Sequence, residues 1–323
     1  MKNAEVFEAM LLDADYRESL RASGKVQRDA LLASIDNAAL EKRMKAANGD
    51  PDAIFDAVHA HFTLDRVQSM VAVERDAFAR VDSYESLFTP AVSPEQASFA
   101  VMRSRHALSL VSAMDPHMLA VSKKRKTTSR RTVSFPSGRA EYVVLKGELK
   151  VRVWRMQPFD DATDLATFDT RLVAEEPIVL KVGDRLRQAD FESLEYLAHD
   201  QACLFLYTQM NFGSVPLDLS LYVDDGSIAT VSASDALCTG MQMQSTLLRL
   251  LGRVDAYDAI AELLDDKHHF VRWHAMRELL GLDQERAWPT LVEMAENDRQ
   301  PSVRRAATAT LSMLGAARQA QAA

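Results

Sequence analysis

Cysteine is nearly missing from this chain: 323 residues carry two, Cys203 and Cys238. Neither sits in CxxC spacing, which leaves no basis for a disulfide framework, a cysteine-rich zinc site or dithiol chemistry, and fits a reducing compartment. No Gly-x-Ser-x-Gly elbow and no Walker glycine loop occurs. An excess of positive charge is missing too. Against 38 Lys and Arg stand 46 Asp and Glu, a net charge of −8 that disfavours tracking the phosphates of nucleic acid or an anionic membrane. No segment approaches the roughly 18 apolar residues of a membrane span. The first twelve residues carry Glu5 and Glu8 inside their apolar pattern, unlike a signal peptide. These absences set the expectation of a cytoplasmic protein with no membrane or nucleic-acid partner. What is present, 47% hydrophobic and 26% charged residues, is the composition of a globular chain, and the length suggests two or three domains.

From residue 3 to 121 the apolar residues recur at helical spacing, as in Val6, Phe7, Met10 and Leu11, then Ile54, Phe55, Val58 and Phe62. Ser93, Pro94 and Gln96 have the spacing of a capped helix start. The helix predicted there carries Phe99, Met102, His106 and Leu110 on one face and ends near Asp115-Pro116. The basic run from Lys123 through Arg131 reads as a solvated linker. Beyond it the period drops to two. Glu141–Lys146 is a strand, Lys146-Gly147 a turn, and Leu149, Val151 and Val153 alternate with Lys150, Arg152 and Trp154. Further strands are expected at 178–180, 186–188, 193–197, 202–209 and 217–223, with turns at Val182-Gly183-Asp184 and Asp224-Asp225-Gly226. Many short strands between Gly and Asp turns indicate an antiparallel sandwich or barrel.

After Leu237 helices return and the chain repeats itself. Val271 and Val303, Arg272 and Arg304, Ala275 and Ala307, Leu279 and Leu311, and Ile260 and Val292 all stand 32 apart, with a weaker copy one step earlier at Met243 and Leu247. Each unit has an apolar helix, an acidic turn, a Val-Arg pair and a second apolar helix. Such a unit cannot bury its hydrophobic face alone and must stack on neighbours. The phrases HHFVRWHAMRELLGL and PSVRRAATATLSMLG resemble HEAT-like repeats. That resemblance implies a curved two-layer helical surface that holds a protein partner.

The phrase EYVVLKGELKVRVW, followed by LKVGDRL, resembles the cupin family of double-stranded β-helix barrels; cyclic-nucleotide-binding domains have a similar arrangement. Metal-dependent cupins place a His-x-His and a Glu before the hairpin glycine and a further His after the Gly-Asp turn, converging on a divalent metal. Here Thr132 to Pro136 hold no histidine, and the upstream acid position falls on Ala140, one place from Glu141. After Gly183 the position of the last histidine falls on Leu194. His199, with Glu195 and Glu192, forms a weak candidate set. Arg185 and Arg187 could clamp a cyclic nucleotide phosphate, but in a strand they are expected to face water.

The sequence thus predicts a multidomain α and β chain: an α-helical region over 1–122, a basic linker over 123–131, a central antiparallel cupin-like β-barrel over 132–236, HEAT-like α-helical repeats over 237–316 and a disordered tail over 317–323. The functional expectation is a non-enzymatic interaction or regulatory protein, with no cofactor and with the barrel as spacer or small-ligand sensor. The alternatives are a cupin-type metal-dependent dioxygenase or isomerase with atypical ligands, and a cyclic-nucleotide-binding regulator. Candidate partner-binding residues are His268, His269, His274, Arg272 and Arg304 near the repeat turns. For the two arginines the competing reading is a bond to the acidic turns, with Asp266 and Asp298 as acceptors. His59 and His61, at i and i+2, point to different helix faces and do not pair as zinc ligands.

Overall fold

The computed structural model describes residues 13–80, 88, 90–93, 95–125, 130–198, 200–211, 213 and 215–322. They divide into two compact units. The first comprises residues 1–131, 138–154 and 174–211; the second comprises 132–137, 155–173 and 212–323.

Among the described residues of the first unit four helices come first: α1 (Ala14–Ile35), α2 (Asn37–Ala47), α3 (Pro51–His61) and α4 (Leu64–Arg80). The Asn48-Gly49-Asp50-Pro51 breaker does two jobs. Asn48 closes α2 in a left-handed conformation, and the Asp50 carboxylate accepts from the Asp52 N–H ahead of Pro51 at the first turn of α3.

The expected helix over 93–115 is instead β structure: β1 (Pro90–Val92), β2 (Ala97–Arg103) and β3 (Ala107–Met114), antiparallel to one another in order. Pro94 lies outside the described residues. Serines take three of the buried positions of β2 and β3. Ser98 and Ser112 share a hydroxyl hydrogen bond of 2.8 Å, and Ser109 meets Thr208 at 3.1 Å; all four are buried. Paired hydroxyls satisfy one another inside a sheet, so the apolar alternation that marks a strand is missing although the burial alternates. Ser93 Oγ does accept from the N–H groups of Glu95 and Gln96, but the turn it closes leads into β2. Asp115 opens α5 (Pro116–Arg125) rather than ending a helix, its carboxylate accepting from His117 and Met118 N–H. This helix includes the first part of the basic run read as linker.

These strands join β11 (Cys203–Met210), β5 (Ala140–Lys146) and β9 (Arg185–Gln188) in a six-stranded sheet of order β1-β2-β3-β11-β5-β9. The first six residues of β5 are all buried, since both sheet faces are covered. Val143, Leu145, Leu206 and Met210 pack with Ile54, Phe55, Val58 and Phe62 of the helical layer. Tyr142, Val144 and Phe205 point the other way, into a core shared with Leu149 and Val151 of β6 (Leu149–Met156) and Leu180 of β8 (Ile178–Leu180). β6 pairs with β8 and with β10 (Glu192–Tyr196), in a sheet that also holds β7 (Leu172–Ala174). All the strands expected from 141 to 223 are present.

The second unit holds a three-stranded sheet of β13 (Ile228–Ala233), β12 (Leu217–Tyr222) and β4 (Thr132–Phe135), followed by the repeats. These are α6 (Ala236–Leu250), α7 (Tyr257–Ala261) continued by a 3₁₀ turn, α8 (His269–Leu282), α9 (Gln284–Asn297) and α10 (Pro301–Ala322). The last helix covers residues 317–322 of the stretch expected as a disordered tail; residue 323 lies outside the described residues. Ile260, Ala275, Leu279, Leu291 and Ala307 form one buried cluster, which the 32-residue spacing required.

The β5–β6 hairpin turns on Gly147, whose φ is +79°, and a Cβ there would stand 2.5 Å from the Ala202 carbonyl oxygen. Gly183, at φ +88°, has nothing within 4 Å. Gly147→Ala should therefore cost about 3 kcal/mol by urea denaturation, and Gly183→Ala only about 1 kcal/mol. Equal costs would show that backbone conformation alone, and not close approach, fixes Gly147.

Candidate functional site

The barrel interior was one candidate. Its buried core is apolar and phenolic: Tyr142 packs on Phe205 and Tyr207, Tyr196 packs on Phe205, and the Tyr142 hydroxyl donates to Gln188 Oε1 at 3.2 Å. Burial pushes both Tyr142 and Tyr196 well above the ordinary phenol range, and pushes the Cys203 thiol up to about 12. All three are neutral at physiological pH, and a protonated thiol is a poor nucleophile. Among the described residues no group of three His, Cys, Asp or Glu side chains is placed to hold a metal ion. His199 lies outside the described residues. Glu195 accepts from Trp154 Nε1 (3.0 Å) and Arg131 (2.8 Å), and Glu192 Oε2 accepts from the Ala189 N–H.

Arg185 and Arg187 do not simply face water. Glu141 is buried at 2% exposure on β5, and one of its oxygens accepts from Arg185 at 2.7 and 3.0 Å and from Arg187 at 2.9 Å. The same guanidinium groups reach Asp56 and Asp52 on α3, and Arg139 adds a bond of 2.8 Å to Asp52. The Arg185 hydrogen bond holds the Asp56 carboxyl below the usual range. A buried carboxylate needs such partners, because leaving it ionised and unpaired costs several kcal/mol. The network is a fastening between α3 and the sheet edge. Spacing alone could not reveal it, because its acids and cations lie more than 40 residues apart in sequence.

The other candidate is the turn edge of the repeats. Arg272 donates two bonds to the Asp298 carboxylate, at 2.7 and 2.9 Å, and a third to the Asp266 carbonyl at 3.0 Å. Both side chains of the pair are 5% exposed. Arg304 repeats the pattern one unit on, donating to the Asp298 carbonyl. Each Val-Arg position thus ties the turn of its own unit, and Arg272 also grips the next. His274 Nε2 lies 3.0 Å from both Thr246 Oγ1 and the Gln242 carbonyl, and 3.5 Å from Glu278; burial foremost lowers its proton affinity.

His268 and His269 meet an acidic loop of their own chain. Their Nδ1 atoms each approach an oxygen of Asp161 at 3.4 Å. The two ring nitrogens and Asp161 Oδ1 are buried without a hydrogen bond. Burial first, opposed by Asp161, holds the proton affinity of His269 below that of a free imidazole. Three residues along, Asp164 pairs with Arg305, and Gln300 donates to the carbonyls of Ala162 and Thr163. The loop over 160–164 therefore lies against the starts of α8 and α10, where helix N-termini and cations favour acidic groups.

Residues 242–321 match the model of HEAT repeats. No curated protein matches the chain. The solved structures it is similar to include the DMSP lyase DddQ of Ruegeria pomeroyi DSS-3, at 12% identity and TM-score 0.25, covering 43% of this chain and 62% of that one. This chain thus spans less than two thirds of that protein. They also include a double-stranded β-helix protein of the cupin family from Methanocaldococcus jannaschii (8% identity, TM-score 0.24, 40% of this chain and 92% of that one). A cupin domain from Bordetella pertussis Tohama I is a third (9%, 0.22, 37% and 97%). At these scores the likeness bears on no activity.

The Arg272–Asp298 pair has a pH signature. Burial alone would raise the Asp298 carboxyl; the Arg272 bonds and the Gln300 N–H outweigh it and lower it. A carboxyl whose folded pKa lies below its unfolded value gives stability that is full above the unfolded pKa, near 4, and is lost as pH falls through the folded one. Asp298→Asn should cost about 3 kcal/mol at pH 7. Its melting temperature should also drop less between pH 5 and pH 2.5 than that of the parent. Parallel acid profiles for the two proteins would remove the pair from any role in stability.

Proposed function

We propose that this is a non-enzymatic interaction protein whose helical repeats bind an acidic stretch of a protein partner, with the β-rich part as a rigid scaffold. The observation that carries the reading is the cationic groove at the start of α10, lined by Pro301, Arg304, Arg305, Thr308 and Ala309. An acidic segment of the chain itself already pairs with Arg305 there. The match of residues 242–321 to HEAT repeats supports the same reading, since stacked helix pairs present extended surfaces suited to peptides and proteins. In this reading Arg305 supplies the charge-assisted bonds, whereas Arg272, Arg304 and His274 hold the stack together from within. His268 and His269 anchor the acidic loop through Asp161.

Complexes assembled this way respond to salt, because exposed charge pairs weaken once the screening length falls to a few ångströms. Full-length protein carrying Arg305→Glu and Thr308→Glu should capture its partner from lysate at least about tenfold less well than the parent, with an unchanged circular dichroism spectrum. Capture by the parent should fall in about 0.5 M salt. Undiminished recovery of the same partner by the double variant would dismiss the groove as the binding surface.

A further inference from the structure

The first helix of the stack shows an apolar face that the later units bury. Met243 is 69% exposed, Leu247 55%, Leu250 67%, Leu251 64% and Val254 51%. Met243, Leu247 and Leu250 fall on one stripe of α6, Leu251 caps the helix and Val254 opens the 3₁₀ turn that follows; Gly240, whose Cβ position is open, continues the stripe toward the N-terminus. The repeat register explains the exposure. Thirty-two residues on from Met243 and Leu247 stand Ala275 and Leu279, both fully buried, and a further thirty-two on stand Ala307, also fully buried, and Leu311. Those residues pack in the cluster to which α7 contributes Tyr257 and Ile260, and α9 contributes Ala287 and Leu291. α8 and α10 each follow such a front helix in the chain; α6 does not. The corresponding stretch of sequence before α6 is the strand β13. α6 is therefore the back half of a repeat whose front half is missing.

We infer that the missing half is supplied by a second copy of this chain, the α6 helices of two molecules packing on each other about a two-fold axis. Three observations favour this occupant. Residues 236–248 contain no charged side chain, and the cations that follow are paired within the chain, Arg249 with Glu278 and Arg253 with Asp255, whereas the chain as a whole carries −8; this is a surface on which two like-charged copies meet with little repulsion. The contact is isologous, and an apolar stripe is complementary to itself. The five side chains offer on the order of 600 Å² per copy, which with the flanking glutamines approaches the ~800 Å² per partner of a standard stable interface. A solenoid end left apolar is otherwise a liability, since terminal repeats normally carry a polar outer face. The inference does not depend on the groove at α10 or on any acidic partner.

Sedimentation equilibrium of the full chain tests it. The parent should be a dimer at micromolar concentration. Leu247→Glu places a carboxylate in each copy against its mate, and should weaken the dimer at least 100-fold with helical content and melting temperature of the monomer unchanged. Met313→Glu, at a 64% exposed position on α10, is the control and should leave the dimer intact. A parent that stays monomeric at about 100 μM, or a Leu247→Glu protein that dimerises as the parent does, would overturn the proposal. Equal loss of the dimer in Met313→Glu would overturn it as well.

Discussion

A strand with no wet face, β5, governs the first unit. Because helices cover one side of the six-stranded sheet and the inner core covers the other, consecutive residues of β5 feed two different cores, Val143 and Leu145 one way, Tyr142 and Val144 the other. Each such side chain contributes about 1.5–3 kcal/mol on burial. The same coverage leaves Glu141 in the dry layer, and the cost of its charge is met by the guanidinium groups of β9. Those groups then reach α3. The ion-pair network is thus a consequence of double coverage and fixes where the helical layer lies on its sheet.

A different device orders the repeats. Hydrophobic stacking specifies that helix pairs lie together but sets their register loosely, because small residues such as Ala275 and Ala307 tolerate sliding. The buried Arg272–Asp298 bond does not tolerate it, since a guanidinium fork and a carboxylate match in one geometry only. The candidates that drew attention by their chemistry, Arg272 and His274, lie inside this mortar. Arg304 and Arg305, which line a groove one unit further on, also hold bonds within the chain, to the Asp298 carbonyl and to Asp164.

How far the fold could be read from the chain depended on where the polar residues fell. Leu149, Val151 and Val153 alternate with charged or amphipathic neighbours, so β6 was plain. The 32-residue spacing made the repeats plain, and the acidic-turn bonds of the two arginines were foreseen. Ser98, Ser109 and Ser112 defeated the reading of β2 and β3, since a buried serine satisfied by another hydroxyl looks in sequence like a solvent position. Phe99, Met102 and Leu110 then imitated a helix by chance. The site was less legible still: Arg185 and Arg187 were expected in water because their partners, Asp52, Asp56 and Glu141, are distant in sequence, and nothing in the composition of 160–164 announces that it lies against α8 and α10.

The two compact units are not beads on a string. The polypeptide passes between them five times, at 131, 137, 154, 173 and 211. β4 waits for β12, a partner more than 80 residues later, before Ser134 can meet Ser220. Loop closure over such distances must be made before any contact rewards it, which places this protein among chains of high contact order. On the ribosome β4 therefore emerges long before the strand it pairs with. The molecule acquires its final shape only after the last third of the chain has emerged, and no single proteolytic cut separates one unit intact from the other.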